Sequence, residues 1–392
     1  VSASYWADLF HDERVTPVVH VLALGFVFIP FGAIPLAIMN REMAVEKTAC
    51  VTAVSTLVYF TASVGLALQG FGPMSMAWAN LINIIATGAT ARFMLGRPLP
   101  WIPSFQKMGG IIHFGLGNLM TALLKATDNA LPDVLIGRSM TSADVGLFSR
   151  ANSTVNMVGT ALLPTVNYFA LPHMAKVHHS NGKIAVEYLH ATSLINALIL
   201  PALAVIGVLA HEIVFLLYGA AWLGAVPVIP WLCVAYAISS LFTLSAPSLN
   251  GIGKPFAAAG PIALTLVSKV TLAIWLVDGT LSTFSMAIAL GQLTSIPFIL
   301  WIHKRFLNVG WRQWVRGTLP LLAQATVVGS ACFGVRLLVA PHLQGWGTIL
   351  VVVTTAAFIF VLSCYVFKLP VTNEFRRIFQ VFDNFRLTRL RR

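Results

Sequence analysis

The stretch TPVVHVLALGFVFIPFGAIPLAIMN, from Thr16 to Asn40, contains no Asp, Glu, Lys or Arg. A bilayer core about 30 Å thick requires roughly 20 apolar residues in a helix that crosses it, and this stretch exceeds that length. Similar stretches recur along the chain, of which 57% is hydrophobic and 10% is charged. Soluble proteins contain about 25% charged residues, so the sequence predicts an all-α polytopic membrane protein.

Eleven transmembrane helices are predicted from the apolar segments and the short polar connections between them. Their expected bounds are Val18–Met39, Ala49–Gln69, Met74–Leu95, Met108–Ile136, Val145–Leu171, Tyr188–Ala210, Val226–Asn250, Phe256–Val277, Leu281–Ile302, Thr318–Val339 and Thr348–Phe367. The connections are too short for the large soluble domain in which a membrane enzyme usually carries out sugar chemistry. The sequence also lacks a nucleophile elbow, a P-loop and metal-ligand spacings, so no catalytic, cofactor-binding or metal-binding residue is predicted.

The net charge of +12 is carried mostly by connections on one side of the predicted membrane and by the C-terminal segment. In the loops of the opposite side, the basic residues are Arg14 and Arg138. Under the positive-inside rule the basic side is cytoplasmic, and the C-terminus lies on that side. Because topology explains the charge, no nucleic-acid partner is predicted.

An internal comparison indicates a repeat of six helices. Thr16–Asn40 aligns without a gap with Val226–Asn250, VPVIPWLCVAYAISSLFTLSAPSLN, and the two segments share a proline, a leucine and the final asparagine at equivalent positions. The first span then corresponds to the seventh. Spans four to nine form one full lobe, and three helices are expected to be missing in front of the first span, in line with the absence of an initial methionine and a signal peptide.

Five phrases of the sequence carry a family resemblance. They are PLAIMNREMAVEK, LPDVLIGRSMTSADVGLFSRA, LLPTVNYFALPHMAKV, EIVFLLYGAAWLGAVPVIPWLCVAYAI and LNGIGKP, in this order along the chain. Together they resemble the polysaccharide transporters of the multidrug/oligosaccharidyl-lipid/polysaccharide exporter superfamily. The resemblance is to the Wzx-type, colanic acid exporter-like flippases for lipid-linked oligosaccharides in particular.

The resemblance implies a fourteen-helix layout of two six-helix lobes and two additional helices, as in MATE- and MurJ-like exporters. The eleven predicted spans fit this layout when the first three helices are missing. Residues 1–107 then form an incomplete N-terminal lobe with the last three of six helices, and residues 108–302 form a complete six-helix C-terminal lobe. Residues 303–392 add two transmembrane helices and a basic amphipathic cytoplasmic tail, whose phenylalanines fall near one helical face that would lie on anionic lipid.

The resemblance also implies a function. Such a flippase moves polyprenyl-pyrophosphate-linked oligosaccharide across the bacterial inner membrane by alternating access, for O-antigen, exopolysaccharide or capsule synthesis. The implied partners are this substrate, membrane lipids, and H⁺ or Na⁺ as a candidate coupling ion. An anionic pyrophosphate and a polar glycan require a hydrated, partly cationic cavity. A multidrug or small-molecule exporter of the same superfamily is the alternative.

Polar residues recur every four positions on the fourth predicted span and form one helical face. They are His113, Gly117, Thr121, Lys125 and Asn129, with Asp128 beside them. A polar face of this kind is not stable against lipid, and charges inside a membrane span are costly enough that a functional role is the default interpretation. This face is therefore predicted to line the cavity.

Further polar residues occur on neighbouring spans. The fifth span carries Ser149, Ser153, Asn156, Thr160 and Asn167, with Arg150 near its outer end; the seventh carries Ser239, Ser240, Thr243, Ser245 and Ser248; the eighth carries Lys269. The predicted substrate-binding residues are Thr121, Lys125, Asp128, Asn129, Arg150, Asn156 and Lys269. The lysines are cation candidates for the pyrophosphate, and Asp128 is the candidate ion-responsive group.

Each of these features has a structural alternative. Serine, threonine and asparagine in membrane helices often only connect one helix to another. Lys125 and Asp128 are spaced i, i+3 and could neutralise each other as a pair. Lys269 could instead form an ion pair with Asp128 or Asp133 of another helix.

Overall fold

The computed structural model describes residues 15–72, 74–96, 108–179, 183–276, 280–343, 345–367 and 369–370. Within these residues the chain forms helices and no strand. The α-helices are α1 (Val15–Arg41), α2 (Val45–Leu68), α3 (Met74–Leu95), α4 (Met108–Ser139), α5 (Ser142–His179), α6 (Ile184–Val208), α7 (Ala210–Tyr218), α8 (Ile229–Ser240), α9 (Ser245–Gly251), α10 (Pro255–Leu276), α11 (Leu281–Thr294), α12 (Ile296–Ile302), α13 (Trp311–Val339) and α14 (Trp346–Val366). A 3₁₀ helix, Ala220–Val228, and a π-helical turn, His303–Leu307, join neighbouring helices. The predicted amphipathic tail lies outside the described residues.

The predicted all-α membrane fold is confirmed, with helical structure at each of the eleven predicted spans. Eight helical segments of the described chain are long and apolar enough to cross a membrane. They are α1, α2, α6, α8 with α9, α10, α11 with α12 and the π turn, α13, and α14. The other three predicted spans, α3, α4 and α5, also form uninterrupted helices but carry more polar residues.

The seventh predicted span is broken, in contrast to the single helix α1 with which it aligns. The helix α8 ends at Ser240, and α9 starts at Ser245. Pro247 has no backbone N–H to bond the carbonyl of Thr243, and its ring would collide with that carbonyl in a continuous helix. Pro247 lies in the first turn of α9, where a missing N–H is tolerated, so its position is compatible with a helix start there.

The chain divides into two compact units, Val1–Gln106 and Lys107–Arg392. In the first unit, α3 packs against both α1 and α2. At the crossing of α1 and α3, a Cβ placed on Gly32 would lie 3.2 Å from Gly88 Cα, so only a residue without a side chain fits without displacement. Such close backbone approach at small residues is typical of membrane helices.

In the second unit, five helices surround one space. The helix α4 packs against α10, α10 against α11, α11 against α8, and α5 contacts both α8 and α4. One core cluster holds this ring together through buried residues such as Phe148, Ile229 and Phe284. Outside the ring, α6 packs between α8 and α13, and α14 packs on α13. The two helices predicted to be additional thus pack onto the second unit.

A capping box fixes the tight turn between α4 and α5. The Thr141 N–H and hydroxyl both donate to Asp144 Oδ2, at 3.0 and 2.7 Å, and the Asp144 N–H donates back to Thr141 Oγ1 at 3.3 Å. This reciprocal pattern satisfies two of the free N–H groups at a helix start. Because both bonds favour the ionised carboxylate, they lower the pKa of Asp144.

Candidate functional site

A polar cavity of about 510 Å³ lies inside the ring of α4, α5, α8, α10 and α11. Its lining combines charged, amide and hydroxyl side chains with apolar ones. The polar lining residues are Lys125, Asp128, Asn129, Asn152, Asn156, Tyr236, Ser239, Thr265, Lys269 and Gln292. Five of the seven predicted binding residues are on this list, Lys125, Asp128, Asn129, Asn156 and Lys269, so side chains far apart in sequence line one cavity.

The strongest polar contact in the cavity joins α10 to α4. Lys269 Nζ donates to both carboxylate oxygens of Asp128, at 2.9 Å to Oδ1 and 3.0 Å to Oδ2. Lys269 is 8% exposed. Its pair with Asp128 is one of the two ion pairs that the sequence left open for this residue. A buried ammonium requires a partner of opposite charge, and Asp128 provides it.

Close helix packing fixes the position of Lys269. A Cβ placed on Gly291 of α11 would lie 2.7 Å from Lys269 Cγ and 2.9 Å from its Cα. The two helices can approach this closely only because Gly291 has no side chain. The backbone of α11 therefore holds the lysine stem against α4.

Lys125 differs from Lys269. Its side chain is exposed, and it has no hydrogen-bond or ion-pair partner among the described residues. The charges that line the cavity are Lys125, Lys269 and Asp128, and the last two neutralise each other. Among the described residues, the cavity lining consequently carries one uncompensated positive charge, which is located on Lys125.

The α5 wall of the cavity presents two amides. Asn152 and Asn156 are four residues apart and therefore lie on the same face of α5, beside Phe148. The Tyr236 hydroxyl of α8 donates to Asn152 Oδ1 at 3.3 Å. Amide and hydroxyl groups of this kind can donate to and accept from sugar hydroxyls.

The polar stripe predicted on α5 reaches this cavity through Asn156. Ser149, Ser153 and Thr160 do not line the cavity, and the Thr160 hydroxyl donates to the carbonyl of Met157 in its own helix. The side chain of Asn167 lies outside the described residues. Asn152 was missed because the stripe runs through Ser153, one residue and about 100° of helix rotation away, although the spacing of four between Asn152 and Asn156 is a usable signal. Gln292, also missed, is an isolated polar residue in an apolar span.

Two predicted binding residues lie away from the cavity. Thr121 is 6% exposed, and its hydroxyl donates to the Gly117 carbonyl one turn earlier in α4 at 2.9 Å. The guanidinium of Arg150 stacks over the rings of Tyr218 and Trp222, at 5.6 and 5.4 Å from their centroids. Backbone bonding and cation–π contacts therefore occupy these two side chains.

The hydroxyl residues of the seventh span include one that lines the cavity and one that connects two helices. Ser239 lines the cavity, whereas the neighbouring Ser240 is buried and donates to Asn196 Oδ1 of α6 at 2.7 Å. Asn196 Nδ2 in turn donates to the Ser240 carbonyl at 3.1 Å. Ser240 thus connects two helices, as small polar residues often do in membranes.

Sequence comparison shows that the chain is similar to polysaccharide biosynthesis proteins. The sequence profile of the family described as "Polysaccharide biosynthesis protein" matches residues 1–227. Lipopolysaccharide biosynthesis protein WzxC of Escherichia coli (strain K12) is 22% identical over 241 residues, which cover 60% of this chain and 48% of WzxC. Succinoglycan biosynthesis transport protein ExoT of Rhizobium meliloti (strain 1021) is 23% identical over 224 residues, covering 57% of this chain and 45% of ExoT.

A third relative, Teichuronic acid biosynthesis protein TuaB of Bacillus subtilis (strain 168), is 20% identical over 344 residues, covering 86% of this chain and 70% of TuaB. The chain spans about half the length of WzxC and of ExoT. Among solved structures, the Lipid II flippase MurJ in an inward closed conformation matches with a TM-score of 0.58. The match has 12% sequence identity and covers 90% of this chain and 74% of that one, which confirms the predicted exporter architecture at the level of the fold.

Proposed function

Because the chain belongs to the polysaccharide biosynthesis protein family, we propose that it is a flippase for lipid-linked oligosaccharide. Its substrate class would be an oligosaccharide joined through pyrophosphate to a polyprenyl lipid, moved across the bacterial inner membrane by alternating access. The names of the relatives, which include a transport protein for succinoglycan and a lipopolysaccharide biosynthesis protein, support this class. Transport without chemical change of the substrate is part of the proposal.

The uncompensated charge of Lys125 carries the proposal. An intramembrane cation costs about 2.5–3.5 kcal/mol on insertion scales, and this one has no described partner to offset the cost. An exposed ammonium in a polar cavity, with its charge not neutralised by the protein, is a favourable partner for an anionic ligand. A pyrophosphate supplies several acceptor oxygens for an ammonium.

The rest of the cavity fits the glycan part of the same substrate. Asn129, Asn152 and Asn156 place amide donors and acceptors on two neighbouring walls. We assign hydrogen bonds with sugar hydroxyls to these amides and the pyrophosphate contact to Lys125. Lys269 is assigned to Asp128, so it shapes the wall and does not bind the substrate while the pair is intact.

Asp128 is the proposed ion-responsive group. Its carboxylate accepts from Lys269 at both oxygens and also lies within the cavity, where a proton or a sodium ion could compete with the lysine. Binding of H⁺ or Na⁺ at Asp128 would release Lys269 as a second cation. From the basic loops we propose that the C-terminus lies in the cytoplasm and that the substrate moves from that side to the opposite side of the membrane.

The test is a set of substitutions expressed from the native gene in a strain that lacks its own flippase. Lys125→Ala is expected to abolish surface polysaccharide at normal membrane abundance, and Lys125→Arg to retain part of it because a cation remains. Lys183→Ala removes the same charge from a connection outside the cavity and is expected to export normally. Normal export by Lys125→Ala would contradict the proposal, as would a phenotype confined to altered drug sensitivity, which indicates the small-molecule exporter.

A further inference from the structure

A second cavity, of about 580 Å³, lies at the basic ends of the helices in the same unit. It is formed by the start of α4, the loop before α10, and the end of α12 with the π turn. Its lining includes His113, Lys254, Phe256, Trp301 and Arg305, and it shares no residue with the cavity around Lys125. It is therefore a separate site.

The phrase LNGIGKP builds the loop that presents Lys254. The Lys254 N–H donates to the Leu249 carbonyl at 2.8 Å, and the Gly253 N–H donates to the Asn250 carbonyl at 3.0 Å. This pair of bonds is the Schellman motif, which ends a helix at a residue with positive φ. Gly253 provides that conformation at φ +75°, and Pro255 starts α10 directly afterwards. The lysine is thus held between a helix end and a helix start.

A π turn presents the second cation. The segment His303–Leu307 continues α12 with wider turns and ends at Asn308, which adopts the left-handed conformation. Arg305 lies over the rings of Trp301 and Phe306, with its guanidinium carbon 5.4 and 5.6 Å from their centroids. A π turn is rare and is frequently found at functional sites. Here it brings a guanidinium and two aromatic rings to one rim of the cavity.

The charge of this cavity is strongly one-sided. Lys254 and Arg305 are both exposed, and none of the described residues of the lining is acidic. His113, whose ring packs on Phe256 at 4.9 Å between centroids, adds a further donor. Two cations with no neighbouring carboxylate favour an anionic ligand.

The apolar part of the lining indicates where that ligand comes from. Trp301 is 51% exposed and Phe256 is 42% exposed, so both present ring surface outward beside the cations. Tryptophan and basic residues occur together where a membrane helix meets the lipid headgroups. A ligand that satisfies both kinds of group has a phosphate at one end and an apolar chain at the other.

We propose that this cavity binds the phosphate headgroup of an anionic phospholipid from the leaflet on the basic side of the protein. Lys254 and Arg305 contact the phosphate, and Phe256 and Trp301 pack against the start of the acyl chains. The inference does not depend on which substrate the cavity around Lys125 transports. General attraction to an anionic membrane surface contributes about fivefold per basic residue, and direct contacts of Lys254 and Arg305 with one phosphate would exceed it.

The experiment measures lipid selectivity in vesicles with the purified protein. Trp301 is the reporter: brominated phosphatidylglycerol and brominated phosphatidylcholine are compared as quenchers, and the Trp301→Phe variant gives the background from the other tryptophans. Phosphatidylglycerol is expected to quench Trp301 at severalfold lower mole fraction than phosphatidylcholine. Equal quenching by the two lipids would overturn the proposal.

Matched variants locate the selectivity. Lys254→Gln and Arg305→Gln are each expected to weaken the preference for phosphatidylglycerol by more than the about fivefold that general surface charge contributes per residue. Lys304→Gln removes the same charge from a neighbouring exposed residue outside the lining and is expected to weaken the preference by about fivefold at most. An equal loss in all three variants would indicate general surface charge and refute a site.

Competition with soluble inorganic pyrophosphate distinguishes a membrane phospholipid from a pyrophosphate group as the ligand of this cavity. Added in excess, it is expected to leave the quenching by brominated phosphatidylglycerol unchanged, because the bilayer holds the lipid at a high local concentration. Displacement of the lipid would overturn the assignment to a membrane phospholipid and identify the cavity as a site for the pyrophosphate of a soluble or lipid-linked substrate.

Discussion

Lys269 Nζ lies 2.9 and 3.0 Å from the two carboxylate oxygens of Asp128, and this contact crosses from α10 to α4. The pair changes the roles that the sequence assigned to the three charges of the cavity. Lys125 and Asp128 are three residues apart on one helix, yet the carboxylate pairs with the lysine from the other helix. Lys125 is consequently the residue available to an anionic substrate.

We first predict that the Lys269–Asp128 pair stabilises the second unit. Asp128→Asn leaves Lys269 buried without a charged partner, and we expect a loss of about 1–3 kcal/mol in the free energy of unfolding. The 26% exposure of the Asp128 side chain keeps the cost below that of a fully buried pair. The measurement is unfolding of the purified protein in mixed micelles of a mild detergent and a denaturing detergent.

The control is the exchanged pair, Asp128→Lys together with Lys269→Asp. The exchange preserves the opposite charges across α4 and α10, so it is expected to recover part of the lost stability. A double variant that is no more stable than Asp128→Asn alone would mean that the contact contributes through packing and not through charge.

The length and hydropathy of the apolar segments predicted the fold, because a helix that crosses the bilayer must have a certain length and be mostly apolar. Each predicted span needed only enough apolar residues to cross it, and helical structure occurs at all eleven. Pro247 is one of several prolines that the sequence places within spans, and hydropathy does not indicate which of them ends a helix, as happens between Ser240 and Ser245. Hydropathy averages over a turn of helix and does not detect a local loss of one backbone hydrogen bond.

The site was only partly predictable, because it depends on helix rotation and on which helices are neighbours. Lys125, Asp128, Asn129, Asn156 and Lys269 line the same cavity, as their placement within spans suggested. Ser149 and Ser153 of the predicted α5 stripe do not line this cavity, because serines and asparagines occur on more than one face of α5. The pairing of Lys269 with Asp128 rather than Asp133 depends on the packing of α4 against α10, which no local pattern specifies.

Our second prediction concerns the close contact of α11 with Lys269. Gly291→Ala places a methyl group 2.7 Å from Lys269 Cγ and 2.9 Å from its Cα, so the two helices must separate. We expect a loss of about 1–3 kcal/mol in the free energy of unfolding, as for other overpacked cores.

Gly334→Ala in α13 is the matched control for Gly291→Ala. No atom lies within 4 Å of a Cβ at this position, and alanine favours the helix more than glycine does. A neutral or slightly stabilising effect, up to about 1 kcal/mol, is expected in the same unfolding measurement. If both substitutions have equal effects, close packing at Gly291 is not the cause of its effect.

A third prediction concerns the ion pair between α7 and α13. Arg336 Nε donates to Glu212 Oε1 at 2.8 Å, and Glu212 is 9% exposed. Arg336→Leu leaves that carboxylate buried without its cation, and we expect a loss of up to about 3 kcal/mol in the free energy of unfolding.

The double variant Glu212→Leu with Arg336→Leu tests the cause of that loss. It removes both charges together, and it is expected to unfold close to the wild type because apolar residues of similar volume often replace a buried pair without cost. Thermal unfolding in detergent gives the ranking of the three proteins. A double variant as unstable as Arg336→Leu would argue that the guanidinium acts through packing.

The last prediction tests the orientation of the second unit in the membrane. The basic connections predict that Ala220 lies outside and Gly182 lies in the cytoplasm. Single cysteines are placed at these two positions after Cys50, Cys233, Cys332 and Cys364 have been replaced by alanine. Only the cysteine at the exposed position 220 is expected to react with a membrane-impermeant maleimide in intact cells, and both are expected to react after the membrane is opened with detergent. Labelling of position 182 alone in intact cells would reverse the proposed topology and place the lipid site at Lys254 and Arg305 in the outer leaflet.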